Sequence, residues 1–197
     1  RIALANKGGN NSDLLSMSAT PIPRTMMLSN FGDMDISVLN EKPKNRKDII
    51  TLIKPENKIY ELWPLIKKQI SLNKQIFWVC PLIDESKKLD FSSAKIKFKN
   101  IEKKFPNQVG LVYGGMSNDE KNNILKRFFE KKIKILVSTT VIEVGINFPD
   151  ANVIVIENSN KFGLSQLHQL RGRVGRGNSE SYCIMLYKNK LSTNAKK

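Results

Sequence analysis

Six short runs, at 49–53, 75–80, 109–113, 134–138, 153–157 and 182–187, are apolar without alternating, and nothing else in the chain constrains its fold as strongly. A strand with one wet face alternates apolar and polar residues. A strand that is apolar throughout needs cover on both faces, which is the mark of a parallel sheet held between helices. Stretches of helical length and periodicity separate the runs, at 56–72, 90–105, 118–132 and 163–176. Ser117 is placed to cap the third of these, with Glu120 closing a capping box. Repeated βα units predict an open α/β sheet. In such sheets ligands gather at the carboxyl ends of the strands, and 138–140, 158–163 and the pair Gly114, Gly115 fall there.

The segment QLRGRVGR at 169–176 is read as helix to its end. At about 100° per residue, Gln169, Arg173 and Arg176 share a narrow arc, because steps of four and three residues bring side chains onto one face. Leu164, Leu167, Leu170 and Val174 lie roughly opposite and would anchor the helix to its own domain, leaving the guanidiniums aimed outward. Gly172 and Gly175 are poor helix formers. They imply either a backbone in close approach to another surface or a helix that ends there. Guanidinium forks suit phosphate oxygens, and a cationic finger across a cleft is what phosphoryl transfer needs. The plainer alternative is surface arginines paired with carboxylates. Arg171 sits on another side, where a structural or a nucleic-acid role fits equally.

The length of 197 residues suffices for one domain with a real core, or for a domain plus a piece of another. A hydrophobic share of 40% argues against disorder. Lys and Arg outnumber Asp and Glu by 33 to 18, giving +15, which fits an anionic polymer as partner and fits equally a lysine-rich solvated surface. Cys80 and Cys183 stand in apolar runs and read as small core hydrophobes, with no disulfide framework. His168 is the sole histidine and reads as hydrogen-bonded structure, so no metal site is expected. Trp63 and Trp78 read as core, and the lysines of 87–104 as a solvated face. No apolar stretch approaches the ~18 residues of a spanning helix, and a reduced cytoplasm is the expected setting, with no membrane partner. Neither a G-x-x-x-x-G-K-[ST] loop for nucleotide phosphates nor an Asp-Glu-x-His for magnesium occurs in the chain. Residues 13–17 read as a lone strand delivering Ser18 to Thr20, followed by a proline-opened helix within 21–30.

The eight residues at 169–176 resemble the last motif, Q-x-x-G-R-x-G-R, of superfamily 2 helicases. SAT at 18–20, followed by PIPR, resembles their motif III, and STTVIEVGIN at 138–147 their motif V. The longer phrases SATPIPRT, FWVCPLIDES, TTVIEVG and GLSQLHQLRGRVGR are similar to the RecG family of branch-migration helicases over nearly the whole chain. Transcription-repair coupling factors share the first and last phrases, whereas FWVCPLIDES fits RecG better. The resemblance implies a RecA-like open parallel sheet at 48–188, the second motor domain. It implies the tail of a first RecA-like domain at 1–40, a linker at 41–47 and a truncated extension at 189–197.

The site roles follow from the same resemblance. ATP and Mg2+ would be held by the first RecA-like domain, whose magnesium ligands lie outside this chain, with Arg173 and Arg176 facing the γ-phosphate and Gln169 positioning phosphate or water. Ser138, Thr139 and Thr140 would grip DNA phosphates, with helix capping as the alternative. Gly145 permits a turn leading to Asn147, where the family usually has an Asp that accepts from the ribose; Asn keeps an acceptor oxygen and loses the charge. Ser18 and Thr20 would couple the ATP site to DNA, and Arg24 would lie near DNA or the domain interface. VGLVYGGM at 109–116 resembles a segment that more often carries His-Gly-Arg-Met; Tyr113 and Gly115 stand there instead, while Gly114 and Gly115 still admit a strand to their backbone amides. The implied activity is ATP-driven remodelling of branched DNA such as stalled forks and Holliday junctions. This chain alone would then be inactive, and branch recognition would lie in an amino-terminal region. The alternatives are a transcription-repair coupling translocase and a basic, non-catalytic nucleic-acid-binding domain.

Overall fold

In the computed structural model the described residues are 15, 17, 37–39, 41, 47–81, 87–139 and 148–188, with backbone alone for 87–93. The chain divides into two units, Arg1–Glu41 and Lys42–Lys197; every element below belongs to the second. In chain order these are β1 (Ile49–Pro55), a 3-10 helix (Glu56–Leu62), α1 (Trp63–Ser71), β2 (Gln75–Cys80), α2 (Lys87–Glu102), β3 (Val109–Val112), α3 (Asn118–Phe129), β4 (Ile135–Thr139), β5 (Ala151–Ile156), a 3-10 turn (Ser159–Lys161), α4 (Leu164–Arg171) and β6 (Ser181–Tyr187).

The six strands form one sheet in the order β1-β6-β5-β2-β4-β3, and every pairing is parallel. Side chains alternate across it into two cores. Ile76, Trp78, Ile135, Val137, Val153 and Val155 pack under Leu62, Ile66, Ala94 and Ile101, so α1 and α2 cover one face. Phe77, Val79, Leu136, Ile154, Ile156 and Cys183 pack under Phe128, Leu170 and Val174, so α3 and α4 cover the other. The connections β1→β2 and β2→β3 run one way along the sheet over the first face. Those from β3 to β4 and from β5 to β6 return over the second, as right-handed crossovers require. Burial of β2, β4 and β5 at every position is the reason those runs do not alternate.

β1 departs from the expectation of cover on both faces. Among the described residues it is an outer strand paired only with β6, and Ile53 is 67% exposed. Gly110, on the opposite outer strand, is there for packing: a Cβ would lie 2.4 Å from Ile133 Cδ1 and 2.9 Å from Ile124 Cγ2. Its absence lets α3 sit down on β3.

The helix boundaries differ from the sequence expectation for local reasons. The stretch 56–72 opens as a 3-10 helix, kinked at Lys58, and turns α-helical only at Trp63. Pro64 has no N–H for the preceding turn, which suits the start of an α-helix and not its middle. The helices α1 and α3 are each followed, two residues on, by a left-handed residue, Asn73 and Lys131. That conformation lets the backbone turn back on the last carbonyls, and it ends the third helix earlier than 132. The second stops at Glu102, short of 105, where Pro106 disfavours helical backbone at Phe105. The capping box at 117–120 is present. Ser117 Oγ accepts from the Glu120 N–H at 3.3 Å, and Glu120 Oε2 accepts from the Ser117 N–H at 3.0 Å. Both cysteines are buried and free, and burial pushes the Cys183 thiol up to about 11. Among the described residues no helix is long and apolar enough to cross a membrane.

Candidate functional site

The arginine segment begins as expected and ends differently. Gly163 opens α4 in extended conformation, with Gln166 Oε1 accepting its N–H at 3.0 Å. Leu170 and Val174 are buried and Leu167 half-buried, which holds the segment on the sheet; Leu164, expected among these anchors, is 87% exposed. The helix stops at Arg171 and does not reach 176. Past it the chain tightens, Arg173 N–H to Leu170 O and Val174 N–H to Arg171 O, before Gly175 turns it with φ +72°. Of the two options the glycines left open, the helix end is the one realised, and close approach accompanies it. A Cβ on Gly175 would stand 2.8 Å from Ile49 Cγ1. The shared helical arc of Gln169, Arg173 and Arg176 therefore does not exist, because only Gln169 is on the helix.

Outward presentation survives the loss of the arc. Gln169 and Arg176 are exposed and Arg173 is half-buried. Arg176 Nε–H donates to Gly172 O at 3.4 Å, drawing the guanidinium back over the carbonyl end of α4, where a cation is favoured. The Arg173 side chain has no hydrogen-bond or ion-pair partner among the described residues.

Ser138 and Thr139 end β4, 1% and 2% exposed, and Ser138 Oγ finds no hydrogen-bond partner among the described residues. Gly114 and Gly115, past the end of β3, are exposed, and a Cβ on Gly114 would meet nothing within 4 Å. These four lie at the carboxyl edge of the sheet. The arginine segment lies at the amino edge: Gly175 touches Ile49 and Ser181, the paired first residues of β1 and β6, and Gly177 approaches Pro149 just before β5. With strands of five to seven residues, the two groups are roughly 15–20 Å apart at ~3.3 Å per residue. They are two separate groups of residues, with α4 running between them. Ser18, Thr20, Arg24, Thr140, Gly145 and Asn147 lie outside the described residues, as do 82–86 of the FWVCPLIDES phrase. His168 is exposed, and its ring has no partner among the described residues.

One charged group was not singled out in the sequence. Glu157 is buried at the end of β5, where it accepts from Trp78 Nε1–H at 2.9 Å and pairs with Lys97 of α2 at 2.6 Å. Its own N–H donates to Val79 O at 2.9 Å. β2 and β5 are neighbours whose following helices go to opposite faces, so Glu157 stands at the crevice where such sheets change winding direction. It ties the loop leading into α4 to β2 and α2. An acid closing the run VIVIE was the available signal. Lys97 is consequently not part of a merely solvated face.

The family model of the helicase conserved C-terminal domain matches residues 57–178. The ATP-dependent DNA helicase RecG of Thermotoga maritima is 48% identical over 188 residues, covering 94% of this chain and 24% of that protein. RecG of Bacillus subtilis is 43% identical over 195 residues, covering 98% and 28%. The chain thus spans about a quarter of the length of these relatives. Among solved structures, RecG bound to a three-way DNA junction superposes with TM-score 0.74 at 43% identity, covering 91% of this chain and 23% of that one. Saccharomyces cerevisiae Dbp5 bound to RNA and ADP BeF3 gives TM-score 0.59 at 18% identity, a likeness of fold.

Proposed function

Because the chain belongs to the helicase conserved C-terminal domain family, we propose that it is the second RecA-like motor domain of a RecG-type, ATP-dependent DNA helicase acting on branched DNA. ATP and Mg2+ are held by a first RecA-like domain, which is this domain's partner across the nucleotide. Arg173 and Arg176 reach the γ-phosphate from the amino edge of the sheet, and Gln169 orients phosphate or water beside them. A guanidinium there offsets charge that builds on the transferred phosphoryl group. Hydrolysis removes that contact and lets the domains part. At the carboxyl edge, Ser138 to Thr140 and the amides of Gly114 and Gly115 hold DNA phosphates without reading bases, as movement along any sequence requires. Ser18 and Thr20 link the two events, and Gly145 and Asn147 face the nucleotide sugar. Rigid elements between the two edges convert closure on ATP into a changed grip on DNA.

One observation carries this reading: Arg173 is half-exposed with no partner among the described residues, on a segment that a left-handed glycine holds against its own sheet. An arginine serving only its own fold would be expected to find an acid or a carbonyl there. In the full-length parent, Arg176→Ala is expected to lower DNA-stimulated ATP hydrolysis by roughly 10³-fold, the scale of an arginine finger, with nucleotide affinity little changed. Turnover assays beside fluorescent-nucleotide titration measure both. Equal loss of binding and turnover would assign Arg176 a structural role.

A further inference from the structure

A groove on the sheet face opposite α4 has the chemistry of a nucleic-acid site. It lies between the 3-10 helix, α1 and α2, has a volume near 520 Å³, and is lined by Ile59, Trp63, Lys97, Asn100, Lys103 and Lys104. Its floor is aromatic: Trp63 is half-buried, stacked on the buried Trp78 with centroids 5.7 Å apart and planes 14° from parallel. Its wall is cationic. Lys104 Nζ sits 5.1 Å above the Trp63 ring and Lys97 Nζ 5.9 Å from that of Trp78.

We propose that this groove binds a segment of single-stranded DNA, with phosphates along the lysine row and a base against Trp63. Lys97, Asn100, Lys103 and Lys104 follow one another along α2 and the turn after it. Seven residues of helix span ~10 Å, enough for the ammonium groups to meet more than one phosphate of a strand laid along α2. Lysine ammoniums act as mobile point charges, suited to a phosphate backbone and indifferent to sequence. An indole offers any base a face, and stacking of that kind needs bases free of a duplex. The cation now above Trp63 is the group an arriving phosphate would draw aside. Lys97 is already committed to Glu157, which leaves Lys103 and Lys104, both exposed, as the groups free to take phosphates. The proposal rests on the motor reading only in its choice of DNA as the polymer, and it needs none of the arginines.

Of the chain's two tryptophans, Trp63 lines the groove and Trp78 lies stacked beneath it, so indole emission reports its occupancy. A ten-residue oligo(dT) should quench the emission of this chain saturably, and a duplex of that length should quench it far less. In the Lys103→Glu, Lys104→Glu double variant the dissociation constant should rise at least tenfold. The slope of log K against log salt should become shallower by about 1.4, two contacts at ~0.7 each. Absence of quenching, equal quenching by duplex, or an unchanged constant in the variant would overturn the proposal. Quenching by oligo-glutamate and not by DNA would also overturn it and make the groove a site for acidic peptides. In the parent, the same double variant should keep ATP hydrolysis that Arg176→Ala loses, so failure of the groove and failure of the motor reading are told apart.

Discussion

Gly175 decides where Arg176 goes. Its φ of +72° costs an L side chain about 1–2 kcal/mol, and a Cβ would also press on Ile49 at the start of β1. Gly175→Ala should therefore lower the stability of the domain by more than that strain alone, measured by urea unfolding. In the parent it should impair ATP hydrolysis by moving the guanidinium. A variant as stable and active as the original would show that the turn does not matter. At this scale the sequence was legible in kind and not in geometry. QLRGRVGR drew attention to the arginines, and the glycines signalled a break, yet helical periodicity carried through 176 put three heads on one arc. Periodicity describes a helix only while it lasts, and this one stops at Arg171 with Gly172 at its cap, before left-handed Gly175 turns the chain. Glu157 was missed because its significance depends on Trp78 and Lys97, 79 and 60 residues away, and no local pattern shows them together.

Elements were read well where one physical cause dominates. All six strands stand where unalternating apolar runs lay; the expected cover on both faces fails at β1, on the outside of the sheet. The 3-10 start at Glu56 follows from Pro64, and the early stops of α2 and α3 from Pro106 and from left-handed Lys131, whose effects are on the backbone and are invisible to hydropathy. The cap of α3 was legible because it is local. Ser117→Ala should cost about 1 kcal/mol in equilibrium unfolding. Hydrogen bonds from Ser117 hold the Glu120 carboxyl below its ordinary 4.5, so its contribution is present above that pH and is lost as pH falls through the lowered value. Unfolding titrations at pH 7 and pH 3 should show the Ser117→Ala deficit shrinking with acid; a constant deficit would separate the cap from Glu120. Lys97→Met tests the tie between α2 and the loop before α4. It leaves the buried Glu157 carboxylate without its cation, a change that costs about 3–5 kcal/mol when one partner of a buried pair is removed. Adding Glu157→Gln should recover part of that loss, and additive losses would mean the pair is not coupled.

Across the whole molecule, chemistry-bearing residues divide between the two edges of one sheet. Sequence reasoning placed Ser138, Thr139, Gly114 and Gly115 at the carboxyl edge, and the structure keeps them there. It had no means of placing Arg173 and Arg176 at the amino edge, since that depends on how long α4 is and where the chain turns back toward β6. The division suits the proposed motor, in which one edge would meet the nucleotide on a partner domain and the other would meet DNA, with the sheet between them moving as a unit. The most direct test is a structure of the full-length parent holding a nonhydrolysable ATP analogue and a DNA junction. The account predicts the Arg173 and Arg176 guanidiniums within ~3 Å of γ-phosphate oxygens, with DNA phosphates at the opposite edge beside Ser138 and Gly114. Guanidiniums remote from the nucleotide, or phosphates of DNA lying on the arginine segment itself, would contradict it.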